Sequence, residues 1–162
     1  MKDRFPMGFA IGVAVVAVLV GAVLYMQRGA HIEVTGRLLK VRTAPLDEHS
    51  AAAVVDFRAA NPADYPFEVR SVTLILENAA GMQTEGTTVS ASDTDRLFAG
   101  VPLLGQKYNA PLIVHDRLAP HQTMDRMAAA RFEVPEADLE KRKRLIVRIE
   151  EVDGAVSEIS EK

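Results

Sequence analysis

His115, Asp116 and His121 form the local cluster of metal-ligand residue types in this sequence. They flank Leu118-Ala119-Pro120, so imidazoles on the two arms of a turn could converge on a divalent ion such as zinc or calcium. A histidine at a strand end is more commonly solvated or hydrogen-bonded, and that plainer role is the expected one here. A second feature, Gly100 and Gly105 followed by a Gln and Lys107, has the superficial look of a phosphate-binding loop. That chemistry requires Lys directly after the second Gly and then Ser or Thr for the metal, between a strand and a helix, whereas Tyr108 follows Lys107. These Gly and Pro residues are expected to shape a surface loop. There is no G-x-S-x-G nucleophile elbow. Cysteine is absent, which excludes thiolate zinc sites and thiol catalysis. The expectation is a protein without catalytic residues, cofactor or bound metal. Its rival is a metal-dependent or hydrolytic enzyme using His115 and His121, because the members of a catalytic triad need not be near one another in sequence.

The elements that must position these residues fall into two parts, 1–30 and 31–162. From Phe5 to Met26 no side chain is charged, with Lys2 and Arg4 before the run and Arg28 after it. As a helix this run would extend about 33 Å, enough to cross the hydrocarbon core of a bilayer. A cleaved signal would have a shorter apolar core and small residues at the cut, so an uncleaved single-pass anchor in the cell membrane is expected. Lys2 and Arg4 favour a cytoplasmic N-terminus and an extracytoplasmic domain, against the pull of Arg28, Arg37, Lys40 and Arg42. Gly8 and Gly12, repeated in spacing by Ala17 and Gly21, would let two such helices approach closely as a homodimer.

The remainder, from His31 onward, carries 16 Lys and Arg against 21 Asp and Glu, a formal charge of −5. That sign argues against nucleic acid as partner. The basic run Lys141-Arg142-Lys143-Arg144 could meet anionic headgroups, but Glu136, Asp138 and Glu140 beside it point to a solvated turn.

The dominant period in this region is two, the mark of half-buried strands. Ile32–Val34 and Leu39–Val41 read as strand. Ala53, Val55 and Phe57 alternate with Val54, Asp56 and Arg58. Phe67 and Val69 point one way, then the phase changes to Val72, Leu74 and Leu76, which predicts a bulge near Arg70-Ser71. Asn78-Ala79-Ala80-Gly81 predicts a hairpin loop into a strand over 82–90. Asp93 to Phe98 predicts a short helix capped by Ser92 or Asp93. Further strands are expected at Leu112–Val114, Ala128–Val134 and Leu145–Ile149, with Pro135 to Lys141 a helical turn. Asp153-Gly154 predicts a type I′ hairpin into Val156–Ile159. The fold expected is therefore all-β, an antiparallel immunoglobulin-like sandwich of seven or eight strands after one N-terminal transmembrane helix.

The stretch Val54-Val55-Asp56-Phe57-Arg58-Ala59-Ala60-Asn61-Pro62, followed by Pro66-Phe67-Glu68-Val69 and Gly81, resembles the late-embryogenesis-abundant type 2 family with its water-stress and hypersensitive-response (WHy) domain. Leu118-Ala119-Pro120 is similar to that family's Pro-containing turn before a late strand. The sequence departs from the pattern in an insertion over 92–111 and in His121, which stands where a turn glycine would be comfortable. The resemblance implies an immunoglobulin-like sandwich, a role in stress protection or in binding a protein or envelope component, and no catalytic residues.

Overall fold

The computed structural model describes residues 4–27 and 33–161, and within the N-terminal helix the side chains of Phe9 and residues 12–23. The chain divides into two compact units, Met1–Ile32 and Glu33–Lys162.

The first unit holds helix α1, Arg4–Gln27, continuous over 24 residues with Pro6 in its first turn, where a missing backbone donor is harmless. Its described side chains are all exposed. Among the described residues no helix is long and apolar enough to cross a membrane. The stretch 12–23 alone would extend only about 18 Å. The span expected from Phe5 to Met26 is thus carried by the sequence and not by the fold. A Cβ at Gly12 would meet nothing within 4 Å. The side chains of Lys2, Arg28 and Gly8 lie outside the described residues.

The second unit contains β1 (Thr35–Pro45), β2 (Ala51–Ala60), β3 (Phe67–Glu77), β4 (Gln83–Glu85), β5 (Thr87–Thr88), α2 (Ala91–Gly100), β6 (Arg117–Leu118), β7 (Thr123–Phe132), α3 (Glu136–Glu140), β8 (Arg144–Glu151) and β9 (Val156–Ser160). One sheet runs in the order β1-β2-β7-β5 and the other β4-β3-β8-β9, with β6 pairing the start of β3. All these strand pairs are antiparallel. The described strands thus form two antiparallel sheets, the arrangement of a β-sandwich. The all-β sandwich expected from the strand period is present, with nine strands among the described residues because the short ones are more numerous.

The core between the sheets is aliphatic and aromatic, with Phe57, Phe67, Phe132, Leu74 and Ile149 fully buried. Burial of one such side chain is worth about 1.5–3 kcal/mol. Strand β2 is covered on both faces. Val54, on the face opposite Val55, joins Ala44, Met127, Ala129 and Leu104 in a cluster overlain by Val89, Leu97, Phe98 and Val101. The segment 92–111 therefore supplies, through Leu97, Phe98, Val101 and Leu104, much of the cover of the first sheet's outer face.

The bulge expected near Arg70-Ser71 is present, as a register shift between Val69 and Ser71. The turn after β3 is closed by the Asn78 carboxamide oxygen, which accepts from the amides of Ala80 and Met82, both at 3.0 Å. The strand expected over 82–90 is instead two pieces in different sheets, β4 on β3 and β5 on β7. The chain crosses between sheets at Gly86, where a Cβ would lie 2.7 Å from the Phe132 ring and 2.8 Å from the Ala130 methyl. Helix α2 is capped two residues before Ser92, at Ser90, which accepts from the Asp93 amide and donates to the Asp93 carboxylate. No strand forms at 112–114. Pro111 makes a single parallel bridge to Met127, and the Ile113 amide turns to the Asp116 carboxylate instead of a neighbouring strand.

The last hairpin is not a type I′ turn, which needs positive φ at both central residues. Among the described non-glycine residues only His115 and His121 have positive φ, so Asp153 does not. The Gly154 amide donates to the Glu151 carbonyl at 3.0 Å and the Glu151 amide to the Ala155 carbonyl at 2.8 Å. This is a three-residue loop with its glycine last, at φ 94°. Gly154→Val is expected to destabilise the domain by about 1–2 kcal/mol in urea unfolding, from backbone strain alone, since a Cβ there meets no atom within 4 Å.

Candidate functional site

The two histidines singled out by the sequence occupy turns, at φ 68° for His115 and 57° for His121. Each faces its own carboxylate. His115 Nδ1 lies 3.1 Å from Glu68 Oε1, and His121 Nε2 lies 2.9 Å from Asp64 Oδ1. Glu68 also accepts from Arg117 Nε at 2.8 Å. The His115 hydrogen bond and then Arg117 hold the Glu68 carboxyl below its usual value. Among the described residues no group of three or more His, Cys, Asp and Glu is placed to hold a metal. The structure does not bring the imidazoles into one constellation. The backbone explains why, since the His115 amide donates to the Val69 carbonyl and the Asp116 carbonyl accepts from the Val69 amide, committing this turn to β3. The left-handed φ of His121 agrees with a position suited to glycine. Lys107 is also committed, as the ion-pair partner of Asp95.

What the fold does join is Asn61 with the turn at 118–120. Asn61 is 1% exposed. Its carboxamide nitrogen donates to the carbonyls of Tyr65 (2.8 Å), Leu118 (3.1 Å) and Ala119 (3.2 Å), and its oxygen accepts from the Ala63 amide (3.0 Å). One side chain thus ties together two loops 57 residues apart in sequence. Pro62 ends β2 beside it, having no amide to donate to a ladder.

A second constellation lies on the outer face of the first sheet. Arg42 on β1 donates to Asp56 on β2 at 2.7 Å, with their side chains 9% and 3% exposed. The same guanidinium donates to the carbonyls of Leu104 and Gln106, both at 2.6 Å. It lies 5.1 Å from the centres of the Phe98 and Tyr108 rings, within cation–π range. The other Asp56 oxygen accepts from the Asn109 carboxamide at 2.8 Å. The pair therefore fastens the covering segment to the sheet. Sequence reasoning did not pick out this site. The available signal was Asp56 itself, a carboxylate within an apolar strand that must be paired if buried.

The basic run is largely neutralised within the domain. Lys143 and Arg144 donate to Glu77, at 2.6 and 2.8 Å, and Arg142 pairs with Glu161 at 2.7 Å. Hydrogen bonds from Lys143 and then Arg144 hold the Glu77 carboxyl at about 2. Its stabilising contribution is present above pH 4.5 and is lost as pH falls through 2.

Glu151 is the opposite case. Burial pushes its carboxyl up from 4.5 to about 7, with Asp153 adding to the effect, and its Oε2 has no hydrogen-bond partner among the described residues. The stability associated with the protonated form is full below 4.5 and lost as pH rises through 7. Glu151→Gln is therefore expected to leave stability unchanged near pH 4. At pH 8 and above it should raise stability by about 2–3 kcal/mol, as read by urea unfolding at the two pH values.

No family model and no curated protein matches the chain. Among solved structures, an uncharacterised β-sandwich protein from Clostridium difficile 630 aligns with a TM-score of 0.41 and 10% identity, over 82% of this chain and 86% of that one. The putative ApaA protein from Bordetella pertussis aligns with a TM-score of 0.37 and 16% identity, over 82% and 90%. Neither match carries a function to this chain. Neither they nor the family models speak to the late-embryogenesis-abundant resemblance, which rests on the sequence stretches around Asn61-Pro62, Pro66 to Val69, Gly81 and Leu118-Ala119-Pro120.

Proposed function

We propose that this chain is a single-pass, membrane-anchored module whose sandwich domain works by contact, binding a protein or envelope component or protecting the envelope under stress. The observation that carries the reading is α1, where Phe9 and residues 12–23 present only apolar or glycine side chains and all are exposed. Apolar side chains on every side of a helix need a non-aqueous surrounding. The uncharged run from Phe5 to Met26 is long enough to supply a span. The proposal of a contact module, related to late-embryogenesis-abundant type 2 proteins, draws on the sandwich with Asn61 linking its two motif-bearing loops.

Topology is the first test. A reporter active only outside the cytoplasm, fused after Lys162, is expected to be active, with Lys2 and Arg4 holding the N-terminus inside. Activity instead from a reporter that works only in the cytoplasm would overturn the envelope reading. The binding role is tested by affinity capture with the full-length chain in membranes. Stoichiometric zinc or calcium in the purified protein, lost on His115→Ala with His121→Ala, would overturn it in favour of the enzyme.

A further inference from the structure

One flank of the sandwich is open. Strand β1 ends the first sheet and β9 the second, and among the described residues neither has a strand paired to its outer edge. Gly36 seats β1 against β9, since a Cβ there would lie 2.6 Å from Ile159 Cδ1 and 2.2 Å from the Arg58 carbonyl oxygen. Beyond it the register of β1 slips between Leu38 and Lys40, leaving Leu39 as the extra residue. Between the two edges lies an open groove of about 630 Å³, lined by Gly36, Arg37, Leu39, Lys40, Arg142 and Glu161 among others.

The charges in this groove are uneven. Arg142 and Glu161 satisfy each other at 2.7 Å. Among the described residues Arg37 and Lys40 form no ion pair, although the Lys40 ammonium lies 4.7 Å from the centre of the Tyr108 ring. A domain with a formal charge of −5 thus concentrates unpaired positive charge along an unpaired strand edge.

We propose that the β1 edge accepts an extended, acidic segment of a partner protein as an added strand. This names the partner of the contact module and rests on that reading, but not on the anchor. The free amides and carbonyls of β1 supply a ladder, exposed Leu39 offers an apolar contact, and Arg37 and Lys40 select Asp or Glu on the incoming strand. A second copy fits poorly. Two β1 strands would oppose their basic residues, and Glu158 of β9 and Glu161 just beyond it are already held by Arg148 and Arg142 at 2.9 and 2.7 Å. The domain's net negative charge opposes a nucleic-acid backbone.

The test titrates the full-length chain, in a non-ionic detergent, with a labelled peptide of about ten residues alternating Glu and Val. The controls replace every Glu by Lys, or two central residues by Pro. The Glu-Val peptide is expected to bind about tenfold or more tighter than either control and to slow amide exchange over 35–45 by a similar factor. The double variant Arg37→Glu, Lys40→Glu is expected to lose about tenfold in affinity with an unchanged melting temperature, and Arg37→Glu alone serves if that variant melts early. Equal binding of the Lys or Pro peptide, protection confined to other strands, or displacement by single-stranded DNA would overturn the proposal. So would a homodimer abolished by the same variants, which would assign the edge to a second copy. A protein captured equally well by the double variant would overturn the edge assignment and leave the contact module standing. Peptide binding as expected, with no protein captured in membranes, would overturn that reading and leave the edge site standing.

Discussion

Asp56→Ala is expected to destabilise the domain by about 3–5 kcal/mol, because it leaves the Arg42 guanidinium charged and nearly buried without its carboxylate. The Leu104 and Gln106 carbonyls would still accept from Arg42, but neither neutralises it. The Asn109 carboxamide loses its partner as well. Urea unfolding followed by circular dichroism reads the loss. Amide exchange locates it, with α2 and the segment after it, 91–111, losing protection before β3 and β8 do. The counterpart double variant Asp56→Leu, Arg42→Met removes both charges and is expected to recover most of the stability, since an apolar pair of similar volume often replaces a buried ion pair without loss. Equal destabilisation by the single and double variants would mean that shape, and not unpaired charge, governs the site.

The second large effect is expected at Asn61. Its removal strips a donor from the carbonyls of Tyr65, Leu118 and Ala119 and an acceptor from the Ala63 amide, all in one place. Leaving such groups unsatisfied costs about 1–3 kcal/mol each when they stay buried, and water can reach some of them here, so Asn61→Ala is expected to lose about 2–3 kcal/mol. For a domain of this size that is a melting temperature lower by roughly 8 °C. Asn61→Asp separates hydrogen bonding from packing. The shape is retained, but a carboxylate cannot donate to three carbonyl oxygens, so it is expected to do at least as much damage near neutral pH as Ala. A mild Asp variant would show that the carbonyl contacts contribute little.

The strands were legible where information is local. The change of phase from Val69 to Val72 forces an extra residue, and the bulge stands there. Asp153-Gly154 marked a hairpin, although the loop is one residue longer than a two-residue turn. The Asn61 element was visible as a strand terminus, but its bonds to Leu118 and Ala119 join segments 57 and 58 residues apart that no local pattern connects. The strand expected over 82–90 missed its crossover because the need for Gly86 comes from Phe132 and Ala130 on a distant strand. The surroundings of the histidine pair were hidden for a related reason. Residue type suggested ligands, while position demanded left-handed turn residues whose side chains each met a separate carboxylate.

The two-sided burial of β2 bears on the chain before it folds. Along Ala51 to Val55 every position of β2 is buried, and that stretch is accordingly apolar throughout. In a nascent chain such a stretch can pair with copies of itself, a hazard greatest for short, uncharged segments of high β propensity. Asp56 and Arg58 interrupt it and keep any apolar run through Phe57 from extending further. In the native state their charges are matched, Asp56 by Arg42 and Arg58 by Asp125 at 2.7 Å. During synthesis the same charges are expected to limit such self-pairing. The double variant Asp56→Leu, Arg42→Met would therefore fold stably once folded, yet fill inclusion bodies on its way there.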